Sequence, residues 1–391
     1  MKQYLTIILL LAFSAPLFAQ EKETSSTHTG PNFFLRGDIE YGQVLGSADL
    51  PEGIDEVFGG SIEIGWQATG SNRYDALLGY PAFGFGFLTY GFPQTGILGK
   101  PNAFYLFLNA PFKRWNKFSL NYILRLGMSY NWEPSDPVAN PSHLALGSYR
   151  NLYISAGAEG QYLIGEQLSA SFGVKFAHFS NGQSSLPNAG MNLLTPHIGI
   201  KYDFNGGDRA KYIKYPKPEF TEKGMEYYVT LGNGIRQIFF TPDSTTATLL
   251  PKQGVSYPVY NISMGAQYQF GWTGKLGGGV DFIYWGAYNP DIELGQGNVV
   301  QAVEYPFSDY LQLGIFISYE FVLNNISIIA QPGYRVIRKE YKGMPTDFYQ
   351  HLGLKYHVHN LIIGVGIRAV NFGQAEYIEW SLGYRIRKPK K

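Results

Sequence analysis

The stretch from Phe118 to Trp132 alternates along its length. Its even positions are Phe118, Leu120, Tyr122, Leu124, Leu126, Met128, Tyr130 and Trp132, and its odd positions include Ser119, Asn121, Arg125, Gly127, Ser129 and Asn131. Successive side chains of a strand point to opposite faces, so one face is apolar over a length that crosses a bilayer, with aromatic residues near its ends. The other face must be wet or packed against polar groups. The same alternation recurs at 152–164, 260–270 and 311–321. A soluble β-sandwich would use strands of about 5–6 residues, and most of these runs reach ten or more. No segment after the N-terminus holds 18 consecutive apolar residues. A closed barrel is then the remaining way to span a membrane, because every backbone N–H and C=O must find a partner inside the bilayer.

The expected fold is an all-β, antiparallel outer-membrane barrel of about sixteen strands. They fall at 33–45, 61–70, 83–93, 103–112, 118–132, 152–164, 168–180, 192–204, 226–238, 258–270, 274–287, 308–323, 325–337, 348–359, 360–370 and 375–387. Connections after odd strands tend to be long (Glu133 to Asn151, Tyr288 to Phe307), and those after most even strands are tight (Gly165-Glu166-Gln167, Gly271-Trp272-Thr273, Asn324). Long extracellular loops and short periplasmic turns are the habit of outer-membrane barrels. One connection breaks the rule: residues 205–225 are charged and contain Pro216 and Pro218. They read as a periplasmic linker between an eight-stranded unit at 33–204 and a second at 226–387. The units end alike, with Gly173-Val174-Lys175 before Ile198-Gly199-Ile200-Lys201-Tyr202 in one and Gly366-Ile367-Arg368 before Leu382-Gly383-Tyr384-Arg385-Ile386 in the other. Two separate barrels would have packed interiors, and one sixteen-stranded barrel would hold a channel. The periodicity leaves both open.

Composition agrees with this reading. Hydrophobic residues make up 45% of the chain, yet mean hydropathy is only −0.13, so apolar residues are dispersed rather than gathered into runs. The 30 Tyr and 27 Phe suit strands that pass a headgroup layer. A net charge of +1 gives no reason to expect a nucleic acid partner. With no Cys, disulfides, thiolate zinc sites, a Cys nucleophile and a lipidated Cys anchor are excluded. Residues 1–19 read as a secretory signal peptide: Lys2, an apolar core from Leu5 to Phe13, and Leu17-Phe18-Ala19 before Gln20.

The seventh strand carries the chemistry. In Leu168 to Ser180 the even row is Leu168, Ala170, Phe172, Val174, Phe176, His178 and Ser180. His178 and Ser180 therefore continue a lipid-facing stripe at the outward end of an outward-running strand. An imidazole beside a hydroxyl is the pair needed for nucleophilic acyl transfer. The surrounding residues, His178-Phe179-Ser180-Asn181 followed by Pro187-Asn188-Ala189-Gly190, resemble the His-x-Ser-Asn signature of the lipid A 3-O-deacylase family, also called PagL-like or acyloxyacyl hydrolase. The resemblance spans roughly residues 33–204. It implies an eight-stranded outer-membrane barrel that hydrolyses an ester-linked acyl chain of lipopolysaccharide at its outer surface, without a cofactor or metal. Carried over, Ser180 is the nucleophile, His178 the general base and Asn181 a donor to the oxyanion. The family's Glu, twelve residues past the Ser, falls on Asn192. That departure replaces a carboxylate with an amide, which can orient the imidazole but cannot stabilise its charge. The second unit has Asn371-Phe372-Gly373 where the first has His178-Phe179-Ser180, and reads as non-catalytic.

Other candidates carry less. His197 shares the polar row with Thr195, Lys201 and Asp203 and reads as an interior hydrogen-bonding residue. His351, His357 and His359 share a strand face but have no carboxylate at metal-ligand spacing. Gly277-Gly278-Gly279 reads as a barrel bend rather than a phosphate loop. The leading expectation is an outer-membrane lipid A deacylase. The alternatives are a non-catalytic lipopolysaccharide-binding or scaffold barrel, and a porin-like channel if all strands form one barrel. Oligomeric state is not readable.

Overall fold

The computed structural model describes residues 32–389, apart from 47–49, 51–52, 71–72, 94, 137–141, 206–219, 221–222, 241–252, 290–291, 295–299 and 342–343. The expected signal peptide and most of the expected linker lie outside the described residues. The first half is a meander of eight strands: β1 (Asn32–Leu45), β2 (Glu56–Gln67), β3 (Ala82–Gly91), β4 (Gly99–Arg114), β5 (Phe118–Trp132), β6 (Asn151–Leu163), β7 (Leu168–Ser180) and β8 (Met191–Asp203). It closes on itself through β1 and β8, with Leu35 opposite Tyr202 and Ile39 opposite Ile198. The second half begins with β9 (Gly224–Phe240), β10 (Gln253–Gln269) and β11 (Gly274–Trp285). A separate two-stranded hairpin follows, β12 (Ile292–Leu294) with β13 (Val300–Ala302). The wall resumes with β14 (Leu311–Leu323), β15 (Ile326–Ile337), β16 (Phe348–Val358), β17 (Leu361–Val370) and β18 (Gln374–Pro389). This barrel closes through β9 and β18, with Leu231 opposite Leu382. There are thus two eight-stranded barrels and no sixteen-stranded one, which removes the premise of the channel reading.

The alternation explains the walls. Along β1, Leu35, Ile39 and Tyr41 are exposed, while Arg36, Asp38 and Glu40 between them are buried. The buried row plugs the lumen with paired charges. Arg36 donates to both carboxylate oxygens of Glu159, at 2.9 and 2.6 Å, and through Nε to Asp38 at 2.8 Å. Arg125 bridges Asp38 (3.1 Å) and Glu63 (2.6 Å), and Lys175 Nζ meets Glu40 at 2.6 Å. His197 is an interior residue, 3.1 Å from Glu159. The second lumen is built alike: Arg368 holds Glu379 (2.6 Å) and Asp281 (2.7 Å), and Lys275 sits between Glu226 (3.0 Å) and Glu320 (2.8 Å). Buried charges persist only when paired in this way. Each lumen keeps a cavity of about 10 Å³, room for about one water.

Several strands start earlier than expected, β4 at Gly99 rather than 103 and β10 at Gln253 rather than 258 among them, and two further differences have a readable cause. The second strand runs from Glu56 to Gln67 rather than 61–70, because Gly59-Gly60 interrupts the alternation that would mark its start. A Cβ on Gly59 would lie 2.3 Å from the Thr89 carbonyl oxygen, so the pattern breaks where the backbones approach. The β12–β13 hairpin was not expected, since three residues are too few to show a period. Of the three expected strand-face histidines, His351 and His357 are buried in the lumen, and His359 lies in the turn after β16 with φ 54°. No group of metal-ligating side chains occurs among the described residues.

The barrels touch at both ends. At the tight-turn end, Tyr74, in the helix Arg73–Leu77 between β2 and β3, meets Trp272 edge-on with ring centroids 6.3 Å apart. Phe220, before β9, packs against the same indole at 4.9 Å.

Candidate active site

His178 lies near the long-loop end of β7, and Asn192 sits directly opposite it on β8. Both belong to the outward rows, next to exposed Phe176 and Leu194. The imidazole Nδ1 is 2.7 Å from Asn192 Oδ1. An amide oxygen can only accept, so Nδ1 carries the proton and Nε2 is left as the basic nitrogen. No described residue hydrogen-bonds to Nε2. Gly190, at φ +86°, lies against the ring: a Cβ there would be 2.8 Å from His178 Cε1. Glycine is required both by that conformation and by the room the imidazole takes.

Ser180 differs from its expected placement. It continues the row of His178 but is only 3% exposed, because the β7–β8 connection folds back over it. Its Oγ accepts from the Gly182 N–H at 3.1 Å and from Asn188 Nδ2 at 3.0 Å. No hydrogen bond joins it to His178. Asn181 is buried and fully engaged. Its Nδ2 donates to Ser148 Oγ (2.9 Å) and to the Ser185 carbonyl (2.7 Å), its Oδ1 accepts from Ser185 N–H (3.2 Å), and its own N–H donates to Asn188 Oδ1 (3.0 Å). Sequence reasoning quoted Asn188 and Gly190 within the motif and gave them no role. Their sequence signal was their position seven to nine residues past the Ser-Asn pair, in Pro187-Asn188-Ala189-Gly190.

The connection is tied to its neighbour between β5 and β6. Ala189 and Gly190 donate their N–H groups to the carbonyls of Leu144 and Ala145, and Ser185 Oγ donates to the Gly147 carbonyl at 2.6 Å. His143 of that neighbouring loop is buried and bonded at 3.1 Å to the Glu133 carbonyl, and burial lowers its pKa.

Closed barrels with apolar outward rows, paired charges inside and long loops gathered at one end define a bacterial outer-membrane β-barrel protein. Residues 225–388, the second barrel, match the family described as acyloxyacyl hydrolase, C-terminal domain. No curated protein matches the chain. Among solved structures, Neisserial surface protein A is 10% identical with a TM-score of 0.32, covering 45% of this chain and 99% of that one. The outer membrane enzyme PagL is 15% identical with a TM-score of 0.30, covering 43% and 99%. The family match falls on the barrel that lacks the His-x-Ser-Asn residues, and those residues stand in the other.

Proposed function

We propose that this protein is an outer-membrane lipid A deacylase, cleaving an ester-linked acyl chain of lipopolysaccharide at the outer end of the first barrel. The observation that carries this reading is the 2.7 Å bond from His178 Nδ1 to Asn192 Oδ1 on the outward rows of β7 and β8. It leaves Nε2 as a base beside Ser180, two residues further along the same row. Oγ of Ser180 attacks the ester carbonyl as its proton passes to His178 Nε2. The tetrahedral oxyanion collapses, and the sugar hydroxyl departs with that proton. Water, deprotonated by the same nitrogen, then releases the fatty acid from the acyl-serine. Hydroxyl and imidazole would come together as substrate enters, as catalytic hydrogen bonds often tighten only in the complex. The donors closest to hand for the oxyanion are the Gly182 N–H and Asn188 Nδ2, which already converge on Ser180 Oγ. Asn181 then serves by holding the loop.

Mass spectrometry of lipid A, from cells carrying and lacking the protein, tests this. Loss of one ester-linked acyl chain, absent with Ser180→Ala, is the expected result. The burial of Ser180 favours a second reading, a lipopolysaccharide-binding barrel without turnover. Unchanged lipid A with retained lipopolysaccharide binding would select it.

A further inference from the structure

The β7–β8 connection that carries the Ser180 environment is held from a second side, by the other barrel. The Gln237 N–H, on β9, donates to the Gln183 carbonyl at 2.7 Å. The Gln237 side chain accepts from the Leu186 N–H, also at 2.7 Å. One residue thus satisfies two backbone groups of the loop that lie three positions apart, which fixes its curvature between them. Beside it, Gly182 adopts φ +61° and packs on Ile378 of β18, where a Cβ would fall 2.4 Å from Ile378 Cγ1. Gly182 is also the residue whose N–H reaches Ser180 Oγ at 3.1 Å. A short chain of contacts therefore runs from the wall of the second barrel to the hydroxyl of the first. The aromatic contact of Tyr74 with Trp272 at the opposite end holds the barrels side by side at both levels.

We propose that the second barrel is a positioning domain for the ester-cleaving site of the first, with Gln237 and Ile378 as positioning residues. This rests on the deacylase reading above. Neither side chain reaches the reacting atoms. They act by setting where Gly182 and Asn188 stand relative to Ser180.

The chain has no cysteine, so introduced thiols report without background. In the full-length protein, Gln183→Cys with Gln237→Cys should cross-link on mild oxidation, which tests the docking itself. Gln237→Ala should lower kcat on lipid A roughly tenfold, the scale of one lost hydrogen bond, with KM little changed. Gln237→Glu keeps an accepting oxygen for the Leu186 N–H and should restore most of the rate. A spin label at Ala189→Cys, an exposed loop position, should become more mobile in the Gln237→Ala background. A cross-link that fails to form in folded protein overturns the docking. Full kcat in both Gln237→Ala and Ile378→Ala overturns the positioning role. If the wild type has no esterase activity, the deacylase reading fails separately. The positioning of the loop is then decided by the spin label: increased mobility supports it and unchanged mobility overturns it.

Discussion

In the first barrel the seventh and eighth strands are joined by residues 181–190, and in the second by Asn371, Phe372 and Gly373 alone. The short connection is a tight turn with Asn371 and Phe372 at φ 52° and 56°, and Phe372 is 83% exposed. The long one returns over the end of its barrel and buries a serine. Walls and lumens hardly differ: both have apolar outward rows and paired Arg, Lys, Asp and Glu inside. The difference teaches that the barrel is a common support, and that the proposed chemistry would enter where one connection is long enough to close over a strand end.

The largest expected effect sharpens that contrast. Ser180→Ala or His178→Ala should reduce lipid A deacylation by a factor of at least about 10³ while leaving the barrel folded, as read by a β-dominated circular dichroism spectrum in detergent. The paired change Asn371→His and Gly373→Ser in the second barrel should create no activity, since a three-residue turn offers no loop to hold the hydroxyl. Activity from that graft would break the comparison. Next come the lumens, where the barrels should behave alike. Arg125→Ala and Arg368→Ala each strand buried carboxylates and should each cost about 3–5 kcal/mol, read as earlier thermal unfolding in detergent. A smaller effect separates the halves. Residues 20–206 expressed alone should fold and insert, because β1 and β8 close without help, yet deacylate roughly tenfold more slowly than the full chain for want of the Gln237 bond. Failure of that fragment to refold would tie the first barrel's stability to the second.

Finer tests stay within the first barrel. Asn192→Glu should raise the deacylation rate a few-fold, because a carboxylate at 2.7 Å from Nδ1 stabilises the imidazolium as an amide cannot. An unchanged rate would remove Asn192 from the mechanism. The smallest effect concerns the loop between β5 and β6. His143 is held neutral there by burial, so its folded pKa lies below the unfolded value. The unfolded state then takes up a proton that the folded loop refuses, and stability falls as pH drops below about 6.5. Protease resistance of the loop should decline over that range in the wild type and lose this dependence in His143→Gln.

Strand number and facing were legible because the period of two is written into every wall strand, as Phe118 to Trp132 shows. Barrel number was not, since Leu35 looks the same whether it pairs with Tyr202 of its own unit or with a strand of the other. The pairing of His178 with Asn192 was expected from the family resemblance, which set Asn192 twelve residues past Ser180, and agreed with its place on the row of Leu194 and Ile198. The burial of Ser180 could not. It goes with Asn188 returning across the strand end and Ser148 receiving Asn181, in a loop that also touches Gln237 and Ile378 from strands that begin more than forty residues later in the chain. Local periodicity carries no trace of contacts made at that separation.

Each barrel contains an even number of strands, so each leaves the membrane on the side from which it entered. Asp203 and Gly224 accordingly stand on one side of the outer membrane, and a chain severed between them is expected to give two insertable halves. Continuity of the polypeptide instead supplies stoichiometry. Each serine-bearing barrel is delivered with one partner wall, at a local concentration that does not depend on how densely the membrane is populated.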